Sequence, residues 1–230
     1  MNDAEQIKQQ VEERGIEWLV HFTHIQNVDS ILEHGIMPRS ETQKLGIHLG
    51  EQFIFPDEFR TDGKNASCLS IMFPNNKMLW HKRQKYGDEN WVFLLLKPDV
   101  LWECDCAFYP TNAASEGLRH KPVENFKTAG AFEAMFAGEV KKHATDETTK
   151  ITRSSELKSY LPTDVQAEVL IFNTISPDYI TECYCHWSLG DIFSPIAPEY
   201  PHIAFFPNTE RFKYKSEHLL CYSRDELIWE

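Results

Sequence analysis

Long apolar runs and a secretory leader are both missing from this sequence of 230 residues. Apolar stretches such as Val92–Leu96 and Val169–Phe172 have the length of a strand, whereas a membrane-spanning helix needs about 20 apolar residues. The opening residues, MNDAEQIKQQVEERG, are polar and charged, unlike the apolar centre of a secretory signal. We therefore expect a cytoplasmic protein that does not enter a membrane.

Glycine-rich nucleotide-binding motifs and a surplus of positive charge are missing as well. No G-x-G-x-x-G follows a predicted strand and no G-x-x-x-x-G-K-[ST] occurs, which excludes the two commonest nucleotide-binding devices. The net charge is −12, from 35 Asp and Glu against 23 Lys and Arg. Such a charge argues against nucleic-acid binding over the whole surface, so any such binding needs a local basic groove.

Two segments interleave basic with aromatic residues, NKMLWHKRQKY at 76–86 and RFKYK at 211–215. Cations contact phosphates and rings stack on bases, so such segments suit single-stranded nucleic acid. An ordinary amphipathic surface is the alternative. The residues of the first segment that suit nucleic acid are Lys77, Trp80, Lys82, Arg83, Lys85 and Tyr86.

Cysteine occurs six times, but never with the C-x2-C spacing that is typical of structural zinc. The cysteines include two C-x-C pairs, Cys104/Cys106 and Cys183/Cys185. Without a secretory leader they are interpreted as reduced thiols on strands, and no metal site is predicted. A metal held by the two pairs is kept as an alternative.

Hydrophobic periodicity indicates short strands interspersed with short helices, without a regular βαβ repeat. This pattern predicts an α+β domain with a mostly antiparallel sheet. A long, partly ordered loop is expected over residues 38–66 and a polar, mobile stretch over 141–159. Helices are predicted over 3–14, 27–35, 76–86 and 131–138, and strands over 17–24, 68–73, 90–98, 106–110, 169–172 and 182–187.

Three segments contain residues suited to chemistry. HFTH places His21 and Thr23 on one strand face, where together they can hydrogen bond a ribose or an amide. FYPTNAAS places Asn112 among small residues that a ligand can approach closely. Glu168 precedes an apolar run, and a desolvated carboxylate has a raised pKa unless donors compensate it, as at many active sites. Taken singly, each segment is explained as well by an ordinary strand or loop.

The order of these segments resembles the DarT-type toxins, ADP-ribosyltransferases that use NAD to modify bases in single-stranded DNA. The resemblance lies in HFTHIQNVDSILEHGI, FPNNKMLW, FYPTNAAS and DVQAEVLIF followed by ISPDYITECYC, and it covers residues 17–187. It implies a single domain over residues 1–230 with the ADP-ribosyltransferase fold, a split, mostly antiparallel sheet with NAD in the central cleft. Residues 188–230 form a C-terminal extension whose role is open.

The resemblance also implies roles for individual residues. Glu168 matches the catalytic glutamate, at the end of a substrate-recognising loop over residues 161–167. The predicted NAD-binding residues are His21, Thr23, Asn27 and Asn75. The predicted DNA-binding residues are Lys77, Lys82, Arg83, Asn112 and Gln166.

A glutamate suits this reaction because breaking the nicotinamide–ribose bond leaves positive charge on ribose C1′. A carboxylate bonded to the ribose 2′-hydroxyl stabilises that charge as it develops and can accept a proton from the attacking base. Thymine-modifying members carry an arginine where this chain has Asn75 and Asn76. Thymine must lose a proton before it attacks, whereas the exocyclic amine of guanine attacks while neutral, so guanine is the predicted base.

The predicted function is transfer of ADP-ribose from NAD to a base of single-stranded DNA, in a toxin or phage-defence effector with a neutralising antitoxin. One alternative keeps the fold and replaces DNA by RNA, a choice that depends on contacts to the 2′-hydroxyl. The other alternative is a non-catalytic binding module, stabilised by a metal through Cys104, Cys106, Cys183 and Cys185.

Overall fold

The computed structural model describes residues 1–44, 63–86, 90–141, 150–185, 193 and 195–206. The α-helices in these ranges are α1 (Asp3–Arg14), α2 (Val28–His34), α3 (Arg39–Lys44), α4 (Asn76–Tyr86), α5 (Val100–Glu103) and α6 (Ala129–Ala134). The strands are β1 (Leu19–His24), β2 (Ser67–Ile71), β3 (Trp91–Leu96), β4 (Cys106–Tyr109), β5 (Glu139–Lys141), β6 (Lys150–Thr152), β7 (Glu168–Ile171), β8 (Ile180–Cys185) and β9 (Ala204–Phe206). None of the described helices combines the length and apolarity that crossing a membrane requires.

Seven strands form one sheet in the order β4-β7-β2-β1-β3-β8-β9. Neighbouring strands are antiparallel, apart from the parallel pair β8–β9. β1 pairs with β3 along all six residues, whereas its pairing with β2 consists of Leu19 with Ile71 and Val20 with Ser70. The sheet is therefore split between β1 and β2, and the predicted α+β fold with a mostly antiparallel sheet is confirmed.

Helices cover one face of this sheet, and the other face carries two separate apolar clusters. α1, α2, α5 and α6 contribute Val11, Leu32, Leu101 and Phe132 to the largest cluster. On the other face, one cluster joins β1, β3 and β8 to α4, and a second lies on β4 and β7. The border between these two clusters falls between β1 and β2, where the strands part.

Most predicted elements occur where the sequence places them. The left-handed φ of +71° at Gly15 ends α1, since a residue without Cβ adopts this conformation readily. All six residues of β3 are buried, as expected for a central strand that is apolar on both faces. The strand β9 lies in the extension whose role the sequence left open, and it lengthens the sheet beside β8.

Three local predictions were wrong in part. The segment expected to be a loop over 38–66 contains α3, in which Thr42 donates to the Arg39 carbonyl, while residues 45–62 lie outside the described ranges. The stretch expected to be polar and mobile over 141–159 contains β6, which is paired with β5. The helix predicted over 131–138 starts earlier, at α6, because the Thr128 side chain caps it by accepting from the Ala131 amide.

The two C-x-C pairs lie near opposite edges of the sheet. Cys106 is on β4 and Cys183 is on β8, with four strands between them, which is roughly 24 Å at ordinary strand spacing. One metal ion therefore cannot bind both pairs, so the alternative of a metal-stabilised module is wrong in that form. Within the described residues no group of three His, Cys, Asp or Glu side chains is arranged to hold a metal.

The buried thiols are expected to be chemically inert in the folded protein. Burial raises the pKa of Cys106 and Cys183 and that of Cys185 to about 12. Because the thiolate is the reactive form, we expect these three to be alkylated about 100-fold more slowly than in the unfolded chain. Mass spectrometry of alkylated peptides measures this, with the half-buried Cys104 as the faster internal control. Equal labelling of Cys183 and Cys104 in the native protein would contradict the fold.

Candidate active site

Glu168 is the first residue of β7, opposite Tyr109 of β4, and is 6% exposed. Its Oε1 accepts a hydrogen bond from Asn112 Nδ2 at 2.9 Å, and its Oε2 accepts one from the Ala113 backbone N–H at 3.1 Å. A buried carboxylate is costly unless such donors satisfy it. The turn that follows β4 therefore both solvates Glu168 and fixes its orientation.

The segment before Glu168, residues 161–167, is termed the acceptor loop below. The backbone N–H of Thr163 donates to the Met135 carbonyl at 2.8 Å, and its hydroxyl donates to the Ala137 carbonyl at 2.6 Å. Arg153 donates to the Leu161 carbonyl at 2.8 Å. The first half of the acceptor loop is thus fixed to the segment after α6 and to the residue that follows β6.

The second half of the acceptor loop is held by a buried carboxylate, Asp164. Thr111 Oγ1 donates to Asp164 Oδ2 at 2.6 Å, and the backbone N–H of Gln166 donates to Asp164 Oδ1 at 3.0 Å. Thr111 is 0% and Asp164 is 2% exposed. Gln166, a predicted DNA-binding residue, is half-buried at the tip of the acceptor loop.

On the other side of the split, β1 presents two of the predicted NAD-binding residues. His21 directly follows Val20, the last residue of β1 that pairs with β2, and its Nδ1 lies 3.0 Å from the Cys68 carbonyl oxygen. Because a carbonyl only accepts, Nδ1 is the donor in this bond. Asn27 Nδ2 donates to the buried hydroxyl of Thr23 at 2.7 Å, so these two predicted residues contact each other.

One strand, β2, separates β1 from β7 in the sheet. β7 is the second strand from β1, which is about 10 Å at ordinary strand spacing. His21 and Glu168 thus lie on two strands of the same sheet that have β2 between them. Between the segment after β2 and the acceptor loop there is also a cavity of about 10 Å³, room for roughly one water molecule. Ser70, Phe73, Asp164 and Val165 are among the residues that line it.

Asn75, the fourth predicted NAD-binding residue, has a structural contact of its own. Its Oδ1 accepts from the Met78 amide at 3.0 Å, which is the hydrogen bond of a helix N-cap. Its backbone N–H donates to Ser70 Oγ at 3.2 Å, and its side chain is buried. The segment that joins β2 to α4 begins at Met72, whose φ of 61° is left-handed. Asn75 therefore fixes the start of α4 against Ser70, which also lines the cavity next to the acceptor loop.

The basic residues of α4 do not all face solvent. Lys77 is exposed and Lys82 is half-buried, whereas Arg83 is 5% exposed because it lies one helical turn after the buried Leu79, on the same face. Trp80 is 50% exposed. Over residues 76–85, whose side chains are described, the exposed face of α4 thus offers cations and the ring of Trp80, without Arg83. The second basic segment, 211–215, lies outside the described residues.

Sequence reasoning missed Thr111 and Asp164, which together connect the acceptor loop to the turn that holds Glu168. An aspartate that bonds the amide two residues later is a familiar turn pattern, and Asp164 with Gln166 could have been recognised by it. The partnership with Thr111 spans 53 residues of chain and has no sequence signal of its own.

Comparisons with known proteins agree with these features. A family model described as "ssDNA thymidine ADP-ribosyltransferase, DarT" matches residues 20–188. A search of curated proteins finds no match. The solved structure of Thermosipho africanus DarTG in complex with ADP-ribose aligns with 83% of this chain and 50% of that chain, at 17% identity and a TM-score of 0.54. The present chain thus spans about half the length of that protein.

Two further structures are those of Thermus sp. 2.9 DarT. Its complex with NAD+ aligns with 84% of this chain and 96% of that chain, at 16% identity and a TM-score of 0.49. Its complex with ADP-ribosylated ssDNA aligns with 84% of this chain and 95% of that chain, at 14% identity and a TM-score of 0.47.

The likeness to the Thermosipho africanus structure confirms the predicted ADP-ribosyltransferase fold. The family match begins within β1, at Val20, and extends beyond the end of β8. The matched range includes Glu168 and every other predicted site residue. It covers well over half of the 230 residues. This chain therefore belongs to the DarT family of single-stranded-DNA ADP-ribosyltransferases.

Proposed function

We propose that this protein transfers ADP-ribose from NAD to a base of single-stranded DNA, with Glu168 as the catalytic residue. The observation that carries the proposal is the buried carboxylate held by Asn112 and Ala113 beside the split in the sheet. The family's description names single-stranded DNA as the acceptor, and the resemblance of the sequence to that family implies NAD as the donor.

The chain's own residues supply binding, orientation and proton acceptance. In this proposal His21, Thr23 and Asn27 hold the nicotinamide ribose, and Glu168 accepts a hydrogen bond from its 2′-hydroxyl. Nicotinamide leaves with the electron pair of the broken bond, a bond forms between ribose C1′ and a base nitrogen, and the proton lost by the base passes to Glu168. The carboxylate acts on charge that develops in the transition state, which is where stabilisation raises the rate.

The DNA strand is proposed to reach this site along α4 and the acceptor loop. Lys77 is exposed and Lys82 is half-buried, so they suit phosphate contacts, while Gln166 at the loop tip suits the base. Because Arg83 is buried, this proposal gives it no direct contact with the DNA strand. Asn112 then has two roles in this proposal: it contacts the DNA, and its side-chain amide orients Glu168.

Guanine is proposed as the preferred base because the segment that carries an arginine in thymine-modifying members has Asn75 and Asn76 here. Asn75 is neutral and its side chain caps α4, so it does not provide the cation that favours a thymine anion. The family's description names thymidine, and thymine is therefore the competing base.

Mass spectrometry of oligonucleotides that differ only in guanine or thymine decides between them, after incubation with NAD. The expected result is an added ADP-ribose on the guanine strand, with the thymine strand unmodified. Modification of the thymine strand alone would overturn the guanine preference while leaving the DNA transferase intact. A single-stranded RNA of matched sequence tests the RNA alternative, and modification of RNA in place of DNA would make RNA the substrate.

A role as a toxin or phage-defence effector with a neutralising antitoxin is part of the same proposal. It rests on the resemblance of the ordered motifs HFTH, FYPTNAAS and DVQAEVLIF to the DarT-type toxins. Modification of bases blocks copying of a strand, which is how such an activity would arrest growth.

A further inference from the structure

The tip of the acceptor loop is a tight turn that ends on the catalytic glutamate. The Asp164 carbonyl accepts from the Ala167 amide at 3.0 Å, and Glu168 follows directly. One carboxylate oxygen of Asp164 accepts from the Gln166 amide inside the same turn. Val165 and Gln166 are half-buried, whereas the other residues of the acceptor loop are buried. Asp164 therefore sets the conformation of Val165 and Gln166, the two residues of the acceptor loop that can face an acceptor base.

The second carboxylate oxygen of Asp164 connects this turn to the catalytic carboxylate. It accepts from the hydroxyl of Thr111 at 2.6 Å, and the next residue, Asn112, donates to Glu168 at 2.9 Å. Both Thr111 and Asp164 are fully buried, where a hydrogen bond to a charged group is stronger than in water. Asp164 thus contacts the acceptor side and the catalytic side through different oxygens.

We propose that Asp164 is a positioning residue and that its bond with Thr111 decides whether ADP-ribose is transferred to the DNA base or to water. This inference rests on the proposed function. In both reactions the nicotinamide–ribose bond breaks and nicotinamide leaves with the bonding electrons. Ribose C1′ then bonds either to a base nitrogen or to a water oxygen, and the nucleophile's proton passes to Glu168. Only transfer needs the base held against C1′ by the loop tip.

Thr111→Val removes the hydroxyl donor while preserving the shape of the side chain, and Thr111→Ser retains the donor as the matched control. Two initial rates are measured for each protein: transfer of label from NAD to a single-stranded oligonucleotide, and release of nicotinamide without an oligonucleotide. We expect the ratio of transfer to hydrolysis to fall roughly 10- to 100-fold in Thr111→Val, the cost of misplacing reactants by about 1 Å. Thr111→Ser is expected to keep the wild-type ratio.

Asp164→Asn provides a second variant of nearly unchanged size, should Thr111→Val not fold, as thermal unfolding will show. It replaces one of the two accepting oxygens by an NH2 group and removes the negative charge that strengthens both hydrogen bonds, so a fall in the ratio in the same direction is expected. An unchanged ratio, or equal loss of both rates, in a folded variant overturns the coupling but leaves the transferase proposal standing. A wild-type protein that releases nicotinamide yet labels no polynucleotide overturns both.

Discussion

Replacing Glu168 with glutamine is expected to reduce the rate of ADP-ribose transfer by on the order of 10³-fold, the scale of losing one preorganised electrostatic contact in a buried site. Glutamine preserves the size of the side chain but removes the negative charge and the ability to take up the proton of the base. It also turns an NH2 group toward one of two donors, Asn112 Nδ2 or the Ala113 amide, that now bond the carboxylate. The initial rate of label transfer from NAD measures the effect.

The matched control for this substitution is Glu103→Gln. Glu103 is a hydrogen-bonded glutamate as well, since Tyr179 Oη donates to it at 2.5 Å, but it lies in α5 on the helical face of the sheet. We expect it to retain the wild-type transfer rate. A Glu168→Gln protein that melts like the wild type and still transfers at a comparable rate would remove Glu168 from the catalytic role.

The largest expected effect on stability follows Gly35→Ala, at the residue that ends α2. Gly35 has a φ of +90°, and a Cβ at this position would lie 2.2 Å from the backbone oxygen of Ile175. The oxygen cannot move aside easily, because Ile36 and Ile175 exchange backbone hydrogen bonds of 3.0 and 2.9 Å. The free energy of unfolding is therefore expected to fall by roughly 3 kcal/mol or more, through strain and steric overlap combined.

Urea unfolding of the purified variants measures this loss, and Gly138→Ala is the control. A Cβ at Gly138 would meet no atom within 4 Å, and the residue has no left-handed φ, so alanine there is expected to leave stability unchanged or slightly raise it. Equal midpoints for Gly35→Ala and the wild type would show that α2 does not approach Ile175 as described.

Local signals in the sequence were sufficient for most of the helices and strands, whereas the catalytic candidate came from the resemblance to one family. Gly15 ends α1 because glycine readily adopts a left-handed φ. The run of β3 lies at the centre of the sheet because it is apolar on both faces. Both features depend on residues that are adjacent in the sequence. Glu168 could be selected because the ordered motifs around it match one family. Its donor Asn112, 56 residues earlier in the chain, came from the same match and not from any local pattern.

Contacts between distant segments were not predictable in the same way. The Thr111–Asp164 bond joins two buried side chains that look like ordinary turn residues in the sequence. The sequence suggests that Arg83 is part of a basic surface. In the structure it is buried, because it lies one helical turn after the buried Leu79 on the same face of α4. The split in the sheet depends on where the pairing of β1 with β2 ends, and strand pairing is a property of the whole fold.

Transfer of adenine-labelled ADP-ribose from NAD to single-stranded DNA, measured side by side for the wild type and Glu168→Gln, tests the central claim most directly. The expected result is label on the DNA that resists protein removal and is located on a base by mass spectrometry, with the Glu168→Gln sample at background. Label on no polynucleotide, or equal label from the two proteins, would contradict the claim that Glu168 catalyses base modification.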